Sequence, residues 1–222
     1  MFAVIFEVQP KKERWDDYLA LAKQLKPKLE AIDGFIDNDR FASRRTSGRL
    51  LSLSTWHDEK AVVRWRTHGE HHGVQEKGRF EIFADYHLRV GEITADTHPP
   101  SGHTVKEQRL DETEIGAAKA VTITEITPRD DAGADALPAR LGLDPPAARG
   151  LVDHELFESI YAPGKFLLLA SWRDADAADA WQPTPIPAAQ PLRHRQVRIV
   201  RDYGMFDRRE APQFYPEVKR PN

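Results

Sequence analysis

One pattern is written twice in this 222-residue chain. Residues 34–65, GFIDNDRFASRRTSGRLLSLSTWHDEKAVVRW, and residues 150–181, GLVDHELFESIYAPGKFLLLASWRDADAADAW, align at a constant shift of 116 without a gap. Of the 32 positions 11 are identical, among them the pairs Gly34/Gly150, Asp37/Asp153, Asp58/Asp174, Trp56/Trp172 and Trp65/Trp181. The match reaches outward, because Pro10 and Pro128 each close a first strand and Asp85-Tyr86 corresponds to Asp202-Tyr203. Self-similarity at this spacing means a tandem duplication, so one structural unit must account for both halves.

The unit can be read from its periodicity. Residues 2–9 alternate as a strand, and 12–31 place Trp15, Tyr18, Leu19, Ala22, Leu25 and Leu29 on one helical face. Residues 35–45 and 49–56 read as strands joined by a turn in which Gly48 can take a positive φ. Asp58 is placed to cap a second helix that runs past Trp65, and a long strand follows at about 80–93. The order βαββαβ is that of a ferredoxin-like half. In the second copy the first helix shrinks to about 130–142, and the counterpart of the second helix's end is QPTPIPAAQP, which cannot continue a helix.

This gives an α+β fold of two tandem ferredoxin-like units: 1–95, a linker 96–116, a degenerate copy 117–206, and a tail 207–222 expected along the surface or disordered. One four-stranded sheet covers only one face with its helices. Leu51, Leu53 and Thr55 share one face of their strand, and 166–172 is apolar on both, so burying sheet against sheet gains about 25 cal/mol per Å² of apolar surface.

Composition excludes several classes of function. There is no cysteine, so disulfides, thiolate metal sites and cysteine nucleophiles are out, in keeping with a reducing cytoplasm. A net charge of −3 gives no global field for nucleic acid, and no apolar run is long enough to cross a membrane. The first ten residues carry Glu7 and lack a basic n-region, so they read as a strand and not as a signal peptide. There is no glycine-rich phosphate loop, nucleophile elbow or dinucleotide fingerprint.

With FAVIFEVQP, LEAIDGF, LLSLSTWHDEKAVVRW and FADYHLRVGEI in view, the first half resembles the antibiotic biosynthesis monooxygenase family over most of 1–95. The second half is similar to it more weakly, over 117–206. The resemblance implies sheets paired into a dimeric α+β barrel, supplied here by one chain; a homodimer of whole chains is compatible with the sequence. One branch of the family implies cofactor-independent oxidation of a small aromatic or quinol-like substrate by O2, in an apolar cavity between sheet and helices. Another implies heme degradation, with a histidine on the second helix, a tryptophan about three turns earlier and an asparagine on the first strand. Trp65 falls at that tryptophan, but the histidine position is Gln75, with His72 and His71 the nearest substitutes, and the first strand offers Glu7.

The stretch Thr67–Gly73, THGEHHG, therefore carries the open question. On a continuous helix His68, His72 and Glu76 share a face and can chelate a divalent ion. A solvated helix with incidental histidines, a cavity acid/base or a heme ligand are the other readings. His72 is the preferred catalytic candidate, with Trp65 and Tyr86 lining the cavity and His72 or His71 as ligand if heme is bound. The cofactor is then none or heme, and a non-enzymatic small-ligand barrel is the remaining alternative. Arg40 and Asp37 stand on a strand where charge is unexpected if buried, and a structural hydrogen bond is the expected reason.

Overall fold

The computed structural model describes residues 1–129, 133–144 and 146–219. Its strands are β1 (Phe2–Pro10), β2 (Phe35–Ser43), β3 (Leu50–Trp56), β4 (Phe83–Asp96), β5 (Ala120–Ile126), β6 (Leu151–Ser159), β7 (Phe166–Trp172) and β8 (Arg193–Gly204). They close into one barrel in the order β1-β3-β2-β6-β7-β5-β8-β4. Each half keeps the ferredoxin-like neighbours, and two seams join the halves, β2 to β6 and β4 to β8. At the first seam Phe41 faces Ser159 and Ser43 faces Phe157. Since Phe41 and Phe157, and Ser43 and Ser159, are duplicated positions, this is the self-complementary pairing of a two-fold interface, made within one chain.

The faces fall as the alternation requires. Leu51, Leu53, Leu167 and Leu169 meet Ile5, Phe41, Ile123 and Phe157 inside the barrel. Trp56 and Trp172 point outward under the helices. Gly34 has φ 88° and Gly150 φ 82°, and a Cβ there would come within 2.7 Å of Ala61 and 2.6 Å of Ala177 respectively. Both glycines are needed twice over, for the left-handed backbone and for the close approach of the following helix.

The helices differ between the halves. The first has α1 (Trp15–Glu30), α2 (Glu59–Arg66) and α3 (Gly69–Lys77), followed by a π-helical turn Gly78–Ile82. In the second, α4 (Leu137–Arg140) is a single turn and α5 (Ala175–Asp179) is short, while 182–191 forms no helix. The expected helix over 130–142 is thus much shorter, and residues 130–132 of it lie outside the described residues. Asp58 and Asp174 each accept from the backbone N–H three residues on, at 2.8 Å in both halves. Asp58→Ala is expected to cost about 1 kcal/mol, read as a fall of about 2–4 °C in thermal unfolding.

The second helix runs past Trp65, as its cap and spacing predict, but the continuous helix on which a shared His68, His72 and Glu76 face depends does not form. It stops at Arg66 and restarts at Gly69, with His68 in an extended conformation (φ −62°, ψ 126°) at the head of α3. His68 therefore leaves the helical face it would share with His72 and Glu76, and among the described residues no three His, Asp or Glu stand together to hold a metal ion. The tail is ordered up to its last described residues and crosses α3, where the Tyr215 hydroxyl and Gln213 Nε2 lie 3.1 and 3.3 Å from His72 Nδ1. Among the described residues no helix is long and apolar enough to cross a membrane.

Candidate active site

The outer face of the first half's sheet, α1, α2, α3 and the tail enclose a cavity of about 210 Å³. A water molecule needs roughly 10–15 Å³ of such space, so a small organic molecule fits. Val4, Leu25, Val62, Val74 and Phe83 supply apolar wall. Of the sequence candidates, Trp65, His71 and Tyr86 line it; Gln75 does too. His72 does not, being exposed on the outer side of α3 under the tail. The two-residue break resets the helical face, and at about 100° per residue this brings His71 inward in place of His72.

His71 is held on two sides by Trp65. The rings stack at 4.0 Å with an interplanar angle of 14°. The carbonyl oxygen of Trp65, which at the end of α2 also accepts from the His68 backbone N–H at 3.2 Å, lies 2.9 Å from His71 Nδ1. A carbonyl only accepts, so Nδ1 carries the proton and Nε2 the lone pair. Burial lowers the His71 pKa to about 4, against the raising effect of the Trp65 carbonyl. The folded imidazole is therefore neutral where an unfolded one is half protonated, near pH 6.5, and the protein loses stability as pH falls from about 6.5 to about 4. The acid limb of any His71-dependent activity is expected near pH 4, and an NMR titration of its ring should give the same midpoint; protonation near 6.5 would contradict this environment.

Tyr86 stands on β4 with its hydroxyl oxygen accepting from Arg208 Nη1 at 2.6 Å and Arg79 Nη1 at 3.3 Å. With both lone pairs engaged, its O–H is left to donate. Arg79, 3% exposed, also donates to the carbonyls of Met205 (2.6 Å) and Pro216 (3.2 Å), stapling the tail over the cavity. Tyr203 lies on the same wall, its pKa pushed up to about 12 by burial. The floor is β2 and β3: Asn38, Arg40, Ser52 and Ser54. Sequence reasoning did not assign this floor to the cavity, although period-two alternation puts Asn38 with Arg40, and Ser52 with Ser54, on one face each.

In the second half the equivalent layer is apolar. At the duplicated positions Leu156, Leu168 and Ala170 replace Arg40, Ser52 and Ser54, and they pack with Trp172 and Trp181 in a solid core. A different cleft, about 410 Å³, opens at one end of the barrel beside Glu7, Arg49, His87 and Arg89. Glu7 faces that cleft, away from the first cavity, so it does not stand where the resemblance places an asparagine. Its charges are satisfied mutually, by Glu7 to Arg89 (2.5 Å) and Arg49 (2.6 Å) and by Asp202 to His87 (2.6 Å).

A two-fold barrel folded from one chain, with a largely apolar cavity outside its first sheet, defines an intramolecular dimeric α+β barrel. The chain belongs to the antibiotic biosynthesis monooxygenase family, whose model matches residues 1–77 and 121–187. It is 45% identical over 220 residues, 97% of this chain and 99% of the relative, to jasmonate monooxygenase of Pyricularia oryzae. Over 92 residues, 41% of this chain and 78% of the relative, it is 30% identical to the uncharacterised protein YqjZ of Bacillus subtilis. The crystal structure of an aldoxime dehydratase with butyraldoxime superposes with a TM-score of 0.55 over 89% of this chain and 79% of that one, at 10% identity, a likeness of fold alone.

Heme fits these residues poorly. The position at which the resemblance expects its histidine presents the amide of Gln75, and His72 faces the tail. Of the two substitutes only His71 turns an imidazole to the cavity, with Nδ1 held by the Trp65 carbonyl and Nε2 left as the one nitrogen that could ligate an iron there.

Proposed function

We propose that this chain is a monooxygenase that oxidises a small, largely apolar, ring-containing molecule with O2 in the cavity of its N-terminal half. Residues 1–95 form the working unit, and 117–206 serve as a degenerate partner that completes the barrel. The observation that carries this reading is the largely apolar cavity with a neutral imidazole and a tyrosine hydroxyl on its wall. Family membership and a full-length relative named for monooxygenation of jasmonate support it.

The substrate lies against Trp65. His71 Nε2 accepts the proton of its enol or phenol O–H, and the Tyr86 O–H donates to a substrate oxygen. Losing that proton makes the substrate a better electron donor to O2, and exclusion of water protects the intermediate. For a quinol-like or anthrone-like ring CH2, the substrate supplies all four electrons: one oxygen atom becomes its carbonyl and the other leaves as water. Hydroxylation of a saturated carbon takes only two electrons from the substrate and needs a separate two-electron reductant.

Oxygen uptake by the purified chain, with an anthrone and with jasmonate, each with and without ascorbate or reduced nicotinamide, tests the proposal. Uptake beyond the substrate's own autoxidation is expected; none with any combination would remove it. Hemin titration in parallel separates the heme reading, for which a saturable shift of the Soret band would speak. Tight binding without oxygen consumption would favour the non-enzymatic reading.

A further inference from the structure

The cavity floor carries a charge for which the proposed oxidation has no use. Arg40 is 8% exposed, and its Nη1 donates to the Tyr161 hydroxyl at 3.1 Å. Its Nε is buried without a hydrogen-bond partner, and the groups beside it are the hydroxyls of Tyr18 and Tyr161. Among the described residues no carboxylate forms an ion pair with it. Taking a guanidinium out of water without a counter-charge costs several kcal/mol, which a fold does not accept without return.

The duplication shows that the fold does not require this group. The equivalent position is Leu156, and with Leu168 and Ala170 it fills the second half as ordinary core. Hydrogen bonds to the hydroxyls of Tyr161 and Tyr18, of the structural kind expected from sequence, engage part of the guanidinium and leave its Nε without a partner. The surrounding wall adds positive charge from Lys26, Arg66, Arg79, Arg201 and Arg208, whereas its acid, Glu59, is occupied by Arg109, whose Nη1 lies 2.8 and 2.7 Å from its two carboxylate oxygens. Arg79 and Arg208 spend their Nη donors on carbonyls and on Tyr86, although Arg79 Nε, like Arg40 Nε, is buried without a partner. Arg66 on the wall likewise keeps an Nε without a partner; Arg40 differs from it in standing on the sheet floor, at the position where the second half has Leu156.

We propose that Arg40 is the seat of a carboxylate, so that the molecule this cavity takes is an amphipathic acid whose head is held at the floor by charge-assisted hydrogen bonds and whose body lies along Val4, Leu25 and Val62. Calling that acid the substrate rests on the monooxygenase reading; its binding does not.

The test is equilibrium binding, by calorimetry, of jasmonate, decanoate and 2-naphthoate, each beside its neutral methyl ester, to the wild type and to Arg40→Leu and Arg40→Gln. Hydrogen bonds to a charged group contribute about 1.5–3 kcal/mol, so the wild type should bind at least one acid about 10- to 150-fold more tightly than its ester. Arg40→Leu carries the residue the second half already uses and should keep its ester affinity while losing the preference; Arg40→Gln repeats the test if Leu does not fold. The proposal is overturned if no acid binds, if acid and ester bind equally to the wild type, or if the preference survives both substitutions. Preference for the acid without oxygen uptake would sink the monooxygenase reading and leave the seat standing; uptake without preference would do the reverse.

Discussion

His71→Ala is expected to lower turnover about 100-fold, whereas His72→Ala should leave it within about two-fold. A positioned general base contributes roughly 10²–10⁴ in rate, and His71 belongs at the lower end because burial, holding its pKa near 4, makes it a weak base. Its value lies in placement: the Trp65 carbonyl fixes the tautomer, the indole fixes the plane, and Nε2 is left to accept. His72 shares residue type and neighbourhood but is exposed and off the cavity wall, meeting Gln213 and Tyr215 of the tail. Steady-state oxygen uptake of the two variants decides between them. A crippled His72→Ala beside an active His71→Ala would mean that α3 turns the other way in the working protein.

Glu7→Ala is expected to cost about 3–5 kcal/mol in stability, because it leaves Arg89 as an uncompensated buried charge. For a chain of this size that is on the order of 10 °C in the midpoint of thermal unfolding. Burial by itself would raise the Glu7 pKa, but Arg89, with His87 and Arg49, holds it well below the usual carboxylate range. The sign follows: the unfolded chain takes up the proton first, so this stabilisation is whole above about pH 4.5 and is lost as pH falls below it. Denaturation of wild type and variant between pH 3 and 7 checks both claims, since the gap between their stabilities should narrow on the acid side. A gap that stays constant with pH would show that the carboxylate's charge is not what stabilises Arg89.

The architecture was legible because it is built from features that one sequence displays. Alternation set Leu51 and Leu53 on one face, and the 116-residue shift carried that face to Leu167 and Leu169, whose own strand is apolar on both. The choice of histidine was not legible. It depends on a break at Thr67 and His68 that a helix containing Gly69 neither requires nor forbids, and a two-residue interruption is enough to exchange inner and outer faces. The tail was illegible for a different reason: its contacts, such as Arg79 to Pro216 and Arg208 to Tyr86, are single long-range hydrogen bonds that leave no periodic trace. The polar floor stood in plain view as the places where the copies disagree, Arg40 against Leu156 and Ser52 against Leu168. Identities between duplicates report the fold, and polar-for-apolar differences report where one copy kept a cavity.

The most direct test of the central claim is the mass spectrum of the product formed under ¹⁸O2. The account predicts that one oxygen atom of the product comes from the gas, that the other atom of O2 appears in water, and that His71→Ala makes correspondingly less labelled product. A product carrying no label, or two labelled atoms from one O2, would contradict it.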